Sequence, residues 1–235
     1  MNAALRVAAV LAVLVLVACT VRHPAATLPA GGTAGGPRLT PAQLLAAVQG
    51  DAEQIDQGQD ATARARLLGA ATGSAQQCLA QAPDSAACQY AQAQVLGLSA
   101  REHPLQAPSL LKDMLASLAK AEGRDPLLDH AGPARLSAVV LLRAPPWPLG
   151  PGDVDTAVLA AQRAVQRDPA WPPNLIILGQ AQARSGATEQ ARATFAKAQL
   201  AVKAAADPSG GAPAGTAAER AQWQQAVEQG LNGPP

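Results

Sequence analysis

The sequence predicts an all-α protein built from helical hairpins, and three observations support this fold class. The chain is rich in Ala and Leu, and its 235 residues include only three Trp, one Tyr and one Phe. β-Branched residues are scarce, so most segments prefer the helix. Two stretches also match at a shift of 34 residues, a period typical of stacked helical hairpins. The first stretch contains Gly152, Ala157, Ala161 and Ala164, and the second contains Gly186, Ala191, Phe195 and Ala198.

The ends of the individual helices can be predicted from capping and breaking residues. Thr40 and Thr216 each begin a capping box, which opens the first and the last helix. The segment Arg143–Gly152 contains four prolines in seven residues and cannot be helical. The last helix is expected to cap the array. The predicted helices, about ten in all, include segments from Thr40 through Ile55, at about 61–81, from Ser85 to about Arg101, from Ser109 to Asp125-Pro126, at about 132–143, 154–167, 174–185 and 187–205, and from Thr216 to Gly230.

The first residues have the composition of an export signal. Met1–Arg6 is a short basic start, and the apolar run Val7–Val17 is shorter than the roughly 20 residues that span a bilayer. The run ends in Leu16-Val17-Ala18-Cys19, which resembles the lipobox of bacterial lipoproteins. This resemblance implies cleavage before Cys19 and its lipidation. The alternatives are an ordinary signal peptide with a chance Cys and a buried core segment.

These signals divide the chain into three predicted parts. Residues 1–18 form the lipoprotein signal peptide, residues 19–38 the lipidated Cys with its tether, and residues 39–235 the helical domain. The Gly-rich stretch at 31–36 makes the tether a flexible spacer. Thr20, where a retained inner-membrane lipoprotein typically has Asp, favours anchoring in the outer membrane. The domain is therefore expected to face the periplasm.

Composition and motifs exclude several classes of function. Without Arg6 of the signal peptide the chain has 18 − 1 = 17 basic residues against 17 acidic ones, so it lacks the basic surface that binds nucleic acid. It contains no nucleophile elbow, phosphate-binding loop or His-Glu-x-x-His motif, and we predict neither an enzyme nor a cofactor. The histidines His23, His103 and His130 are not spaced as metal ligands. The neighbouring Asp129 and His130 are interpreted as ordinary helix-start composition.

Two further cysteines flank a turn signal. Cys78 and Cys88 each lie five residues from Pro83, between two predicted helices. Positions equidistant from the turn of an antiparallel helix pair lie close together, so a disulfide across this hairpin is expected in an oxidising periplasm. Two buried free thiols are the alternative.

The 34-residue period resembles the tetratricopeptide (TPR) hairpin, most clearly over residues 138–171 and 172–205. Leu141 and Leu175 stand where that family has a Trp, so the resemblance implies degenerate TPR-like hairpins. Tyr90, Phe195 and Trp223 lie at helical spacings among apolar residues and are predicted to be core.

A second resemblance rests on the stretch from Gly132-Pro133-Ala134-Arg135 through the Pro/Trp/Gly loop to Pro172-Pro173-Asn174. This stretch is similar to the T-component lipoproteins associated with tripartite ATP-independent periplasmic (TRAP) transporters. The resemblance implies an all-helical domain with a cleft or pore that assists solute-binding proteins in ligand uptake.

Four residues are candidates for a binding surface at such a cleft. Arg135 and Arg143 are eight residues apart on one helix, near one face, and can meet an anionic ligand. Trp147 can anchor a protein partner, and Asn174 can hydrogen-bond a ligand. Each of the last three has a structural alternative. Arg143 can satisfy carbonyls at its helix end, Trp147 can pack the loop onto the adjacent hairpin, and Asn174 can be a helix N-cap.

Three functions agree with these features. The first is a transport accessory that docks a periplasmic solute-binding protein or captures a small carboxylate or lipid-like ligand. The second is a scaffold for outer-membrane or polysaccharide assembly, with a protein partner and no small ligand. The third is a structural homo-oligomer. All three are binding roles.

Overall fold

The structure, a computed structural model, describes residues 38–58, 60–206 and 215–233. These ranges contain nine α-helices and no β-strand, which confirms the predicted all-α class. The predicted signal peptide, Cys19 and nearly all of the tether lie outside the described residues. Within those ranges no helix is both long and apolar enough to cross a membrane. The helices are α1 (Pro41–Gln57), α2 (Ala61–Gln81), α3 (Ala86–Glu102), α4 (Ala107–Arg124), α5 (Leu128–Arg143), α6 (Val154–Arg167), α7 (Pro172–Arg184), α8 (Thr188–Ala206) and α9 (Ala217–Leu231).

Both predicted capping boxes are formed. At the start of α1, Thr40 Oγ1 accepts a hydrogen bond from the Gln43 N–H, and Gln43 Oε1 accepts one from the Thr40 N–H. Thr216 and Glu219 make the same reciprocal pair before α9. These bonds satisfy backbone donors that have no partner inside the helix, so they fix both helix starts.

Two helices begin two residues earlier than predicted. The sequence places the starts of α4 and α7 at Ser109 and Asn174, directly after prolines, whereas the helices begin at Ala107 and Pro172. Proline lacks only an N–H that would have no helical partner in the first turn, and its φ is already helical. A proline in this position therefore belongs to the helix.

Consecutive helices are antiparallel, because all but two of their connections are three or four residues long. Ion pairs confirm the alternation. Arg101 and Asp56 join the last turns of α3 and α1 at 2.5 Å, and Arg163 and Glu122 join the last turns of α6 and α4 at 2.8 Å. The array thus has two ends. The entry end holds the starts of the odd-numbered helices, and the far end holds the α3–α4 and α5–α6 connections.

The 34-residue period relates α6 to α8, which begin at Val154 and Thr188. Their matched small residues are buried at helix contacts. The preceding helices are not related in this way, since Leu141 lies two residues before the end of α5 whereas Leu175 is the fourth residue of α7. The cause is the ten-residue α5–α6 connection, which in the second pair is replaced by three residues.

The core runs through all nine described helices and divides into a main cluster, a second cluster around Trp171 and Trp223, and three smaller ones, one of which contains Cys78 and Cys88. Tyr90, Phe195 and Trp223 are all at most 2% exposed, which confirms that they belong to the core. Cys78 and Cys88 are bonded to each other in the structure, across the α2–α3 turn at the entry end.

Candidate functional site

The start of α5 has an unusual backbone. Asp129, His130 and Ala131 have φ values of 50°, 54° and 61°, a short left-handed turn made by three residues other than glycine. Each such residue costs about 1–2 kcal/mol. The regular part of α5 begins only at Gly132, close to the predicted start at about 132. Such a turn persists only where surrounding contacts hold it.

Arg135 provides the main contacts that hold this turn. Its guanidinium donates to the Asp129 carboxylate at 2.9 Å and to the backbone carbonyls of Asp129 and His130 at 3.1 and 2.9 Å. The Arg135 and Asp129 side chains are only 5% and 9% exposed. The same carboxylate accepts a 2.7 Å hydrogen bond from the Tyr90 hydroxyl on α3. A buried ion pair with this many additional hydrogen bonds fixes both helices at the entry end.

Asn174 extends this network to α7. Its Oδ1 accepts a hydrogen bond from Arg135, and its Nδ2 donates to the carbonyl oxygens of His130, Ala164 and Asp168 at 3.0–3.2 Å. The interpretation of Asn174 as an N-cap is wrong, because Trp171 occupies that position and Asn174 lies inside the first turn. Asn174 is also fully buried, so it does not contribute to a binding surface. It connects α5, α6 and α7.

His130 forms the outer edge of the network. Its Nδ1 lies 2.7 Å from Asp168 Oδ2, and its ring stacks on Trp171 with centroids 4.0 Å apart. Trp171 in turn meets Trp223 of α9 edge to face at 5.1 Å. The buried indole N–H of Trp171 has no hydrogen-bond acceptor among the described residues, so ring contacts hold this indole. The stack therefore ties the capping helix to the network.

Arg135 and Arg143 line one groove, as their spacing predicts. The groove lies between α5, α7 and α9, and Val139, Ile176 and Trp223 form its apolar part. Burial lowers the pKa of the Arg143 guanidinium below its ordinary value. The cavity measures about 40 Å³, room for about three water molecules. Ligand pockets usually measure about 300–1,000 Å³, so this groove in its present shape does not hold a metabolite.

A broader open depression of about 560 Å³ lies at the entry end, beside the α2–α3 turn. Its rim is polar, with Gln89, Lys120 and an exposed ion pair between Arg124 and Asp84. Most of the residues that line it are exposed to solvent, whereas a ligand pocket encloses most of its ligand. This depression therefore does not have the character of a ligand pocket.

Trp147 lies outside both depressions, at the far end of the array. Its side chain is 86% exposed, so the interpretation that it packs the loop onto the neighbouring hairpin is wrong. The loop itself is well fixed. The Gly152 and Leu149 N–H groups donate to the Pro145 and Pro146 carbonyls at 2.8 and 3.0 Å. A Cβ on Gly152 would collide with the backbone at the start of the loop, so the close approach of the two ends of the loop requires glycine.

Asp129 and His130 do lie at the start of α5, but the interpretation as helix-start composition missed their role, because both belong to the buried network and its edge. Their partners lie 38 to 44 residues away in the sequence, apart from Arg135. The one local signal was Gly132-Pro133, which places the helix start there and leaves the preceding residues outside regular helix.

In the described ranges no group of three or more His, Cys, Asp or Glu side chains is arranged to hold a metal ion. No protein-family model matches this chain, and a search of curated proteins finds no significant match.

Proposed function

We propose that this protein is a lipid-anchored helical-hairpin protein of the bacterial envelope that binds a protein partner through the loop at 144–152. The single observation that carries the proposal is the exposure of Trp147 on a well-fixed loop. Tryptophan is enriched among the residues that dominate binding energy. A loop already held in one conformation loses little entropy when it binds.

The comparison of Trp147 with the other aromatic residues strengthens this argument. Tyr90, Trp171, Phe195 and Trp223 are all buried, at no more than 2% exposure. The chain thus uses its few aromatic side chains for packing everywhere except in this loop. An exposed aromatic side chain on a rigid support is typical of a partner anchor.

The other candidate residues favour a protein partner over a small ligand. Arg135 and Asn174 are hydrogen-bonded to each other and to buried backbone groups, so neither is placed to take up an anion. The groove beside Arg143 has room for only a few water molecules. Within the transport reading, docking of a periplasmic solute-binding protein is therefore favoured over direct capture of a carboxylate. The TPR-like hairpins, the lipidated Cys19 and the outer-membrane location belong to the same proposal and rest on the sequence patterns.

The test is photo-crosslinking in the native host with the full-length protein. A photo-reactive aromatic residue at position 147, which keeps an aromatic ring in place of the indole, should give an adduct with one partner, whereas the same residue at position 200 should not. Leu200 is a suitable control because it is 66% exposed on α8. A solute-binding protein in the adduct supports the transport accessory, and an assembly protein supports the envelope scaffold. Equal adducts at both positions, or none, contradict the proposal.

A further inference from the structure

A second apolar side chain lies at the same end of the array as Trp147. Leu105, in the α3–α4 connection, is 99% exposed. Trp147 and Leu149 in the α5–α6 loop are 86% and 64% exposed. Isolated exposed leucines are ordinary, but exposed apolar residues on adjacent connections are worth explaining together. We call Leu105, Trp147 and Leu149 the far-end patch.

The helix register places these two connections at the same height along the helix axes. Tyr90 of α3 hydrogen-bonds Asp129 at the start of α5, which aligns the two parallel helices. From Tyr90, α3 continues to Glu102, about 18 Å, and the regular part of α5 continues from Gly132 to Arg143, about 17 Å. Both α3 and α5 pack on α4, so they lie at most two helix spacings, about 16–20 Å, apart. Both connections therefore fall within one interface of standard size, which covers about 800 Å² per partner.

The backbone also fixes the display of Leu105. The N–H of Gln106 donates to the His103 carbonyl at 2.9 Å, and the N–H of Ala107 donates to the Pro104 carbonyl at 3.3 Å. The leucine therefore sits in a hydrogen-bonded turn, as Trp147 sits in a hydrogen-bonded loop. Both parts of the far-end patch are preorganised for contact.

We propose that the far-end patch docks one water-soluble protein whose surface offers an apolar pocket. This inference rests on the proposed function and extends its site to a second connection. The position of the chain entry argues for a soluble partner. The described residues begin at Arg38, next to Leu39, which packs on the Cys78–Cys88 cluster at the entry end. The patch lies at the opposite end, about 26 Å away along the 17 residues of α1, so a tether that joins the domain at Arg38 leaves the patch open to proteins in solution.

The charges beside Leu105 point to the same kind of partner. Arg101 pairs with Asp56 at 2.5 Å, and Glu102 pairs with Arg64 at 3.4 Å. These charges are balanced within the chain, whereas a surface that binds anionic lipid needs a cluster of basic residues. Contact at the patch is therefore apolar, and we expect it to depend weakly on salt.

The experiment uses the full-length protein in its host, with a photo-reactive residue at position 149. The adduct yield with the partner is measured in three backgrounds: unchanged, Leu105→Ala and Leu127→Ala. Leu127 is the matched control, because it is a 60% exposed leucine at the entry end. We expect Leu105→Ala to lower the adduct yield about 10-fold when binding is not saturated, because one leucine is then no longer buried in the complex. Leu127→Ala should leave the yield unchanged.

The possible outcomes separate the two proposals. If the adduct forms and Leu105→Ala does not lower its yield, the far-end patch is refuted while the proposed function stands. If position 149 gives no adduct in any background, both proposals are refuted. An adduct with lipid or with a second copy of this chain also overturns the soluble partner proposed for the patch. Because Leu105 is almost fully exposed, protein abundance should be equal in all backgrounds, and immunoblotting checks this.

Discussion

Replacing Gly132 with Ala should destabilise the protein, although Ala is the better helix former. A Cβ atom on Gly132 would lie 2.5 Å from the Tyr90 hydroxyl oxygen and 2.7 Å from Asp129 Oδ2, closer than real Cβ contacts allow. The substitution must therefore displace the tyrosine hydroxyl from the carboxylate to which it donates. Gly132 is thus required by the buried network rather than by its own backbone conformation.

The size of the effect follows from two opposing contributions. A buried hydrogen bond to a charged group contributes about 1.5–3 kcal/mol, and Gly→Ala inside a helix returns up to about 1 kcal/mol. We expect Gly132→Ala to lower the free energy of unfolding by about 1–2 kcal/mol, measured by urea denaturation followed by circular dichroism. Gly73→Ala on α2 is the matched control, because nothing lies within 4 Å of its Cβ. The control should be neutral or stabilising.

A double-mutant cycle isolates the cause. Tyr90→Phe removes the hydroxyl, so the ring is no longer held against Asp129 and can move away from a new Cβ. Gly132→Ala should then cost less in the Tyr90→Phe background, with a coupling free energy of about 1 kcal/mol or more. The reasoning is refuted if Gly132→Ala stabilises the protein as Gly73→Ala does, or if the effects of the two substitutions simply add.

Three further predictions concern other parts of the molecule. Burial and the neighbouring Asp129 raise the pKa of Tyr90 well above its ordinary value of 10.0. The contribution of the neutral Tyr90 side chain to the free energy of unfolding is therefore complete below pH 10 and falls as the pH rises further, by up to about 1.4 kcal/mol per pH unit. Urea titrations at alkaline pH should show a smaller fall for Tyr90→Phe. Replacing Cys78 and Cys88, which are ten residues apart, by Ala should lower the free energy of unfolding by about 2.5–3 kcal/mol, and reduction of the unsubstituted protein should reproduce the loss. Trp147→Ala should change the free energy of unfolding by less than about 0.5 kcal/mol, because the side chain is almost wholly exposed, and a large loss of stability would mean that the loop packs on the helices.

Much of the fold could be predicted because its determinants are local. The capping boxes at Thr40 and Thr216 and the proline-rich segment after Arg143 act within a few residues, and the helices follow them. The burial of Tyr90 and Trp223 also follows from local apolar spacing. The starts of α4 and α7 differ because the first turn accommodates their prolines, and α5 begins at Leu128, ahead of the predicted 132, because the left-handed turn precedes its regular part. Local chemistry therefore sets nearly all helix bounds.

The polar network could not be predicted in this way because it depends on distant partners. Asp129 accepts a hydrogen bond from Tyr90, which lies 39 residues earlier in the sequence, and Asn174 accepts one from Arg135, also 39 residues earlier. The left-handed turn that brings these groups together is not marked by glycine, the residue that adopts this conformation most readily. Spacing correctly placed Arg135 and Arg143 on one helix face, but it could not show that Arg135 makes buried hydrogen bonds within the fold.

Nothing in the packing of the fold explains why the Trp147 side chain is exposed. Burial of a Trp side chain removes roughly 150–250 Å² from water and is among the largest single contributions a core can gain. Hydrogen bonds from Leu149 and Gly152 close the loop that carries Trp147, so the conformation of the loop itself keeps this side chain exposed. The polar residues that looked like a ligand site instead stabilise the start of α5 and its contacts. A binding role at the far end is therefore the function that accounts for the residue that packing leaves unexplained.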